Sequence, residues 1–163
     1  TFQAPTKTFN IAGIISSYAI IPNADIRKKF YGWIKANELD EANIFAPIAT
    51  IAAFTKGEEW RKSMLTYIED NVRFIEDYCK KNIPQIHPLR PQASFLVWLN
   101  CRELNLDHKD LLDLFIDKAH LALNDGEMFG QGGEGFMRMN IATPRSVIKQ
   151  ALDQLATAVN NLK

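Results

Sequence analysis

The sequence predicts a helix-rich α/β chain, and three observations carry that prediction. Residues 14–21 form a continuous apolar run with β-branched residues and Tyr18, stopped by Pro22-Asn23. That is the pattern of a strand buried on both faces. Trp60, Met64, Ile68, Val72, Ile75 and Cys79 recur at helical spacing in one long stretch. Residues 94–99 and 136–141 then read as strands set among further helical segments.

The chain has 163 residues, enough for one sizeable core or for a small domain plus part of another. Lys+Arg and Asp+Glu balance at 19 each and no basic block stands out, so nucleic acid and anionic membrane surfaces are not expected partners. No apolar run approaches the roughly 20 residues that span a bilayer. No signal-peptide pattern opens the chain, and its start in Thr-Phe-Gln-Ala-Pro reads as that of a cut fragment. Cys79 and Cys101 lack CxxC spacing and are expected as reduced, partly buried thiols. His87, His108 and His120 have no companions at ligand spacing, so no metal site is expected.

In chain order, Asn23 is placed to cap a helix with Ile26, Phe30, Trp33 and Ile34 on one stripe, ending near Asn37. An alanine-rich helix is expected over about 43–54, broken by Lys56-Gly57. Glu58-Glu59 open the long helix and Lys80-Lys81 close it, acids first and bases last, as the macrodipole favours. Pro84, Pro88 and Pro91 mark an extended linker. Asp107 caps a helix over about 108–119, with Leu111, Leu112, Phe115 and Ile116 inward; residues 121–123 read as a short strand before the turn Asn124-Asp125-Gly126. Thr143 as N-cap and Pro144 as first helical residue start a final helix with a long apolar stripe. The expected domains are residues 1–55, a connecting helix at 56–83, and a small α/β domain at 84–163.

Three stretches can carry chemistry. Lys7 stands between two hydroxyls, Thr6 and Thr8, just before the apolar run. At the mouth of a buried strand its charged form would be disfavoured by desolvation, making it an amine nucleophile; the plain alternative is a loop lysine in water. Gly130, Gly132, Gly133 and Gly135 resemble a phosphate cradle but lack a Rossmann context or a following Lys-Ser/Thr, so a lid or turn over a substrate pocket is the better reading. Arg138 sits mid-strand, with Phe136 and Asn140 on its side and Met137, Met139 and Ile141 on the other. It requires either an internal carboxylate or one brought by a substrate. Arg145, in the last helix's first turn, reads as solvated or bridging.

The words APTKTFNIAG, SSYAIIPN, GEEW, ASFLVWL and FGQGGEGFMRMNIATPR follow in an order that resembles the C-terminal part of fold-type I pyridoxal-phosphate (PLP) enzymes of the class I/II aminotransferase superfamily. Within these the chain is most like the cystathionine β-lyase, or MalY/PatB-type, C–S lyase branch. The resemblance implies that residues 1–55 end a PLP-binding large domain and that 84–163 form the small C-terminal domain. It implies Lys7 as the lysine that holds PLP and serves as catalytic base, Thr6 as a ligand of the cofactor phosphate, and Arg138 as the clamp on the substrate α-carboxylate. Many aminotransferases carry a phosphate-binding arginine a short way past the lysine; Ile14, Ile15 and Ser16 fill that neighbourhood here, which leans towards the lyases.

The resemblance further implies a cytoplasmic enzyme, homodimeric at full length, acting on a small amino-acid substrate, with the ring-stacking and most phosphate-binding residues in a preceding part. The function it implies is α,β-elimination of cystathionine-like cysteine S-conjugates to thiol, pyruvate and ammonia. An aminotransferase is the alternative. A non-catalytic dimerisation or interaction module is the second, with Trp60, Trp98 and Phe136 as core or interface residues.

Overall fold

The computed structural model describes residues 1–41 and 43–162; Ala42 and Lys163, which fall within the expected first and last domains, lie outside them. The chain is α/β and helix-rich, and divides into two compact units within its longest helix, after Met64.

In the first unit, β1 (Phe2–Gln3) pairs antiparallel with β2 (Tyr18–Ala19), and α1 (Ala24–Ala36) and α2 (Phe45–Lys56) follow. Asn23 caps α1 as expected, its Oδ1 accepting from Ile26 N at 2.9 Å. The expected buried strand over 14–21 does not form. Ala12–Ile14 make a 3₁₀ turn, Ile15 adopts φ 51° and is 80% exposed, and only Tyr18 and Ala19 pair. Beyond the pair, Ile20 exchanges backbone bonds with Thr1, and α1 side chains take neighbouring carbonyls: Tyr31 Oη donates to Ala19 O at 3.0 Å, and Arg27 Nη1 donates to Ile21 O at 2.8 Å and to Pro22 O at 3.1 Å. An apolar run becomes a strand only where a neighbouring ladder satisfies its backbone. For the same reason the α1 stripe is not a core stripe. Ile26 and Trp33 are exposed, while Phe30 is half-buried against Phe2, ring centroids 5.5 Å apart.

The long helix α3 (Glu58–Asn82) has the bounds its end charges predicted. Its stripe is buried from Ile68 through Val72, Ile75 and Cys79. The second unit continues with a four-stranded antiparallel sheet in the order β3 (His87–Leu89), β4 (Leu96–Asn100), β6 (Phe136–Asn140), β5 (Asn124–Asp125). Val97, Leu99, Met137 and Met139 are buried on one face, in one core with the apolar sides of α3, α4 (His108–Asp113) and α5 (Arg145–Asn160).

Four local expectations are corrected here. The proline linker contains β3, and Pro88 is tolerated because the strand lies at the sheet edge. Residues 121–123 are irregular, and the short strand is the expected turn pair Asn124–Asp125, because those residues meet Arg138 and Met137 across the ladder. Asp107 does cap α4, accepting from Asp110 N at 2.8 Å, but the helix passes into a π-helical turn at Leu114–Lys118. The extra residue in that turn rotates Leu114 inward with Phe115 and leaves Ile116 53% exposed. Finally, Pro144 is the capping residue of α5 and Thr143 makes no cap; the amide of Arg145 instead donates to Tyr67 Oη at 2.8 Å.

Candidate functional site

Lys7 belongs to the first unit. It lies on a turn closed by Phe9 N donating to Pro5 O and Ile11 N donating to Thr6 O, each at 3.0 Å, with Asn10 at φ 52°. Pro5 and Phe9 are buried and Thr6 is half-buried, whereas Lys7 and Thr8 are exposed. Phe9 meets Phe54 of α2 edge-on, centroids 5.2 Å apart, and Gly57 leaves it room: a Cβ there would stand 2.9 Å from the Phe9 ring. Two buried anchors, Pro5 and Phe9, therefore hold the turn on which Lys7 is exposed. The strand that was to enclose it is not formed. A nearby cavity of about 790 Å³, lined by Tyr18, Phe30, Ala46 and Thr50 among others, does not include Lys7.

Arg138 belongs to the second unit. On β6 it stands opposite Trp98 of β4 on one side and Asn124 of β5 on the other. Directly paired residues share a face, so these three side chains project from the side of the sheet away from the core. Arg138 Nη2 donates to Asn124 Oδ1 at 2.9 Å, and its guanidinium carbon lies 4.2 Å from the centroid of the Phe129 ring. Its Nε is buried without a hydrogen-bond partner, and no carboxylate pairs with it among the described residues. Arg145 is bridging: its Nε donates to Asn71 Oδ1 at 2.7 Å and its guanidinium lies over Phe74.

The glycine-rich loop does not cradle an anion. One of its amides, Gly132 N, already donates to the Glu134 carboxylate at 3.1 Å, and the loop closes on itself through Gly133 N to Gly130 O. It roofs a cavity of about 290 Å³ whose walls are Leu89, Trp98, Phe129 and Phe136. Among the described residues no three His, Cys, Asp or Glu side chains are placed to hold a metal. Burial pushes the thiols of Cys79 and Cys101 up to about 12, so neither is a nucleophile near neutrality. Sequence reasoning missed Asn124 and Phe129 as partners of Arg138; the only trace was their nearness to the glycine run.

No protein-family model matches the chain. It is 36% identical over 160 residues to cystathionine β-lyase PatB of Bacillus subtilis, covering 98% of this chain and 41% of that protein. Protein MalY of Escherichia coli is 30% identical over 159 residues, with 97% and 41% covered. The crystal structure of cystalysin from Treponema denticola, which contains PLP, superposes with a TM-score of 0.88 at 35% identity over 99% of this chain and 41% of that one. Along nearly its whole length the chain is similar to part of these PLP enzymes, C–S lyases among them. It spans about two fifths of the length of the curated lyases it matches. Two aminotransferases match at lower identity, 26% and 25%, while the crystal structure of a PLP-bound putative aminotransferase from Clostridium difficile 630 superposes with a TM-score of 0.94 at 36% identity over 98% of this chain and 41% of that one. The helix-rich α/β fold is that of the corresponding part of these PLP enzymes. No helix among the described residues is long and apolar enough to cross a membrane.

Proposed function

We propose that the chain is the lysine- and arginine-bearing part of a PLP-dependent C–S β-lyase, cytoplasmic and homodimeric at full length, acting on cystathionine or related cysteine S-conjugates. Its domains in that enzyme are residues 1–55 closing the large cofactor domain, the linking helix at 56–83, and the small domain at 84–163. The exposed apolar side chains of α2 (Phe45, Ile48 and Ile51) support a covering surface in the full enzyme.

The donor set fits the cofactor: an exposed lysine stands on an anchored turn, with the hydroxyl-bearing Thr6 next to it in the chain. Bound PLP supplies the electron sink that makes the substrate's Cα–H acidic. Lys7 would hold the cofactor through its Nζ and, with the substrate's amine in its place, would serve as general base for the Cα proton. Thr6 would donate to the cofactor phosphate. Arg138 holds the α-carboxylate in its planar fork, which fixes the Cα–H direction. The Cβ–S electron pair leaves with the thiolate, so cystathionine and water end as homocysteine, pyruvate and ammonia.

The observation that carries this reading is the unpartnered, buried Nε of Arg138 on a guanidinium already steered by Asn124 and Phe129. A donor left unsatisfied there is costly, and a substrate carboxylate is the acceptor that matches it. Arg138→Lys in the full-length enzyme keeps the charge and loses the fork. It should weaken substrate binding by about 1.5–3 kcal/mol, a KM rise of at least ten-fold, while the cofactor's absorbance stays as in the wild type. Unchanged KM and kcat would return Arg138 to a structural role.

A further inference from the structure

We propose that Phe129 is a positioning and specificity residue for the substrate carboxylate: its ring closes one face of the Arg138 guanidinium, so that a planar anion is accepted in the guanidinium plane and a bulkier one is refused. The proposal rests on the reading of Arg138 as the carboxylate clamp.

A carboxylate neighbour would fix the Arg138 side chain but would consume the N–H groups the substrate needs. An aromatic face does the opposite, because it fixes the plane of the guanidinium and takes no donor. Phe129 is in that position, 4.2 Å from the guanidinium carbon, while Asn124 Oδ1 takes a single hydrogen bond from Nη2. Nε and the rest of the fork remain. Core burial does not explain the placement of Phe129, which is 46% exposed.

The ring itself is held. Trp98, opposite Arg138 on β4, meets Phe129 edge-on at 5.3 Å and Phe136 edge-on at 6.3 Å, making an aromatic row along this face of the sheet. The backbone of Phe129 is set by a tight turn: Phe129 N donates to Gly126 O and Gly130 N donates to Glu127 O, both at 3.0 Å, and Gly126 N donates to Phe136 O at 2.9 Å. Gly130, the next residue, takes φ 99° and ψ −163°, a region essentially reserved for glycine. Gly126 is packed so closely on the Gly133 and Phe136 carbonyls that a Cβ would collide with both. The glycine-rich loop thus has a purpose that phosphate binding does not supply: it carries the chain around so that Phe129 lies on Arg138.

The test uses full-length holoenzyme in wild-type, Phe129→Leu, Phe129→Trp and Arg138→Lys forms. Equilibrium dissociation constants for L-alanine and for its phosphonate analogue are read from the cofactor's absorbance, a binding readout independent of turnover, and KM and kcat for cystathionine are measured alongside. The wild type should prefer alanine. Phe129→Leu, which keeps apolar bulk and loses the π face, should bind alanine about ten-fold more weakly and narrow the preference over the phosphonate, with KM rising more than kcat falls. Phe129→Trp should retain both. If Phe129→Leu matches the wild type while Arg138→Lys is weakened, the Phe129 proposal is wrong and the carboxylate clamp stands. If Leu and Trp variants lose equally, ring cover is not the cause and the proposal is overturned. If Arg138→Lys itself binds alanine normally, the clamp reading fails and takes this proposal with it.

Discussion

Replacing Lys7 by alanine is expected to abolish turnover of the full-length enzyme without unfolding it. The side chain is exposed, and its turn is held by buried Pro5 and Phe9, by backbone bonds from Phe9 and Ile11, and by the Phe9–Phe54 contact. Removing an exposed side chain from such a turn changes stability by no more than about 0.5 kcal/mol. The chemical loss is of another order. General-base catalysis alone contributes about 10²–10⁴-fold, and in the proposed reading the same amine would also hold the cofactor. Borohydride reduction of the wild-type holoenzyme, followed by peptide mapping, should place a single label on Lys7 and none in Lys7→Ala. A label on any other lysine refutes the assignment.

Asn71→Leu should be the most damaging single change to the second unit. Asn71 has no exposed surface, and its amide joins three elements. Nδ2 donates to Ile141 O at 3.0 Å and to Thr143 O at 3.4 Å, at the exit of β6, while Oδ1 accepts from Arg145 Nε at 2.7 Å, in the first turn of α5. Leucine fills a similar volume and satisfies none of these groups. It leaves a buried carbonyl and a guanidinium N–H without partners, a cost of about 3–5 kcal/mol. The denaturant midpoint should fall accordingly with the slope unchanged. Because Arg138 lies three residues before Ile141 on the same chain run, substrate binding should weaken in the variant that still folds. A loss under about 1 kcal/mol would show that the Asn71 bonds are replaced by others.

What the sequence made legible follows how local each signal is. Caps at Asn23 and Asp107, the end charges of α3 and the alternation of β6 all act within a few residues, and each stands where it was expected. Failures came where the outcome depends on a distant partner. The apolar run over 14–21 had the composition of a buried strand, but only Tyr18 and Ala19 find a ladder, and α1 side chains take the Ala19 and Ile21 carbonyls. Leu121-Ala122-Leu123 had strand composition, yet Asn124 and Asp125 pair, because β6 is the template. The π turn after α4 has no signature in helical spacing, so Ile116 was placed inward. The same division holds at the site. Lys7 and Arg138 stood out by chemistry and context, whereas Phe129 and Asn124 acquire meaning only from strand register and the course of the glycine loop. Lys7 is exposed, and the strand expected to enclose it is not formed.

Lys7 and Arg138 are proposed to serve an elimination. The direct measurement is to incubate the full-length enzyme with cystathionine in the absence of any keto acid and to follow pyruvate and free thiol together. A thiolate is a competent leaving group, so once Lys7 has taken the Cα proton, its departure from Cβ should outrun return of a proton to the cofactor. The account predicts sustained, equimolar release of pyruvate and thiol over many turnovers. Turnover that appears only when a keto acid acceptor is supplied, with no thiol released, would contradict it and put an aminotransferase in its place.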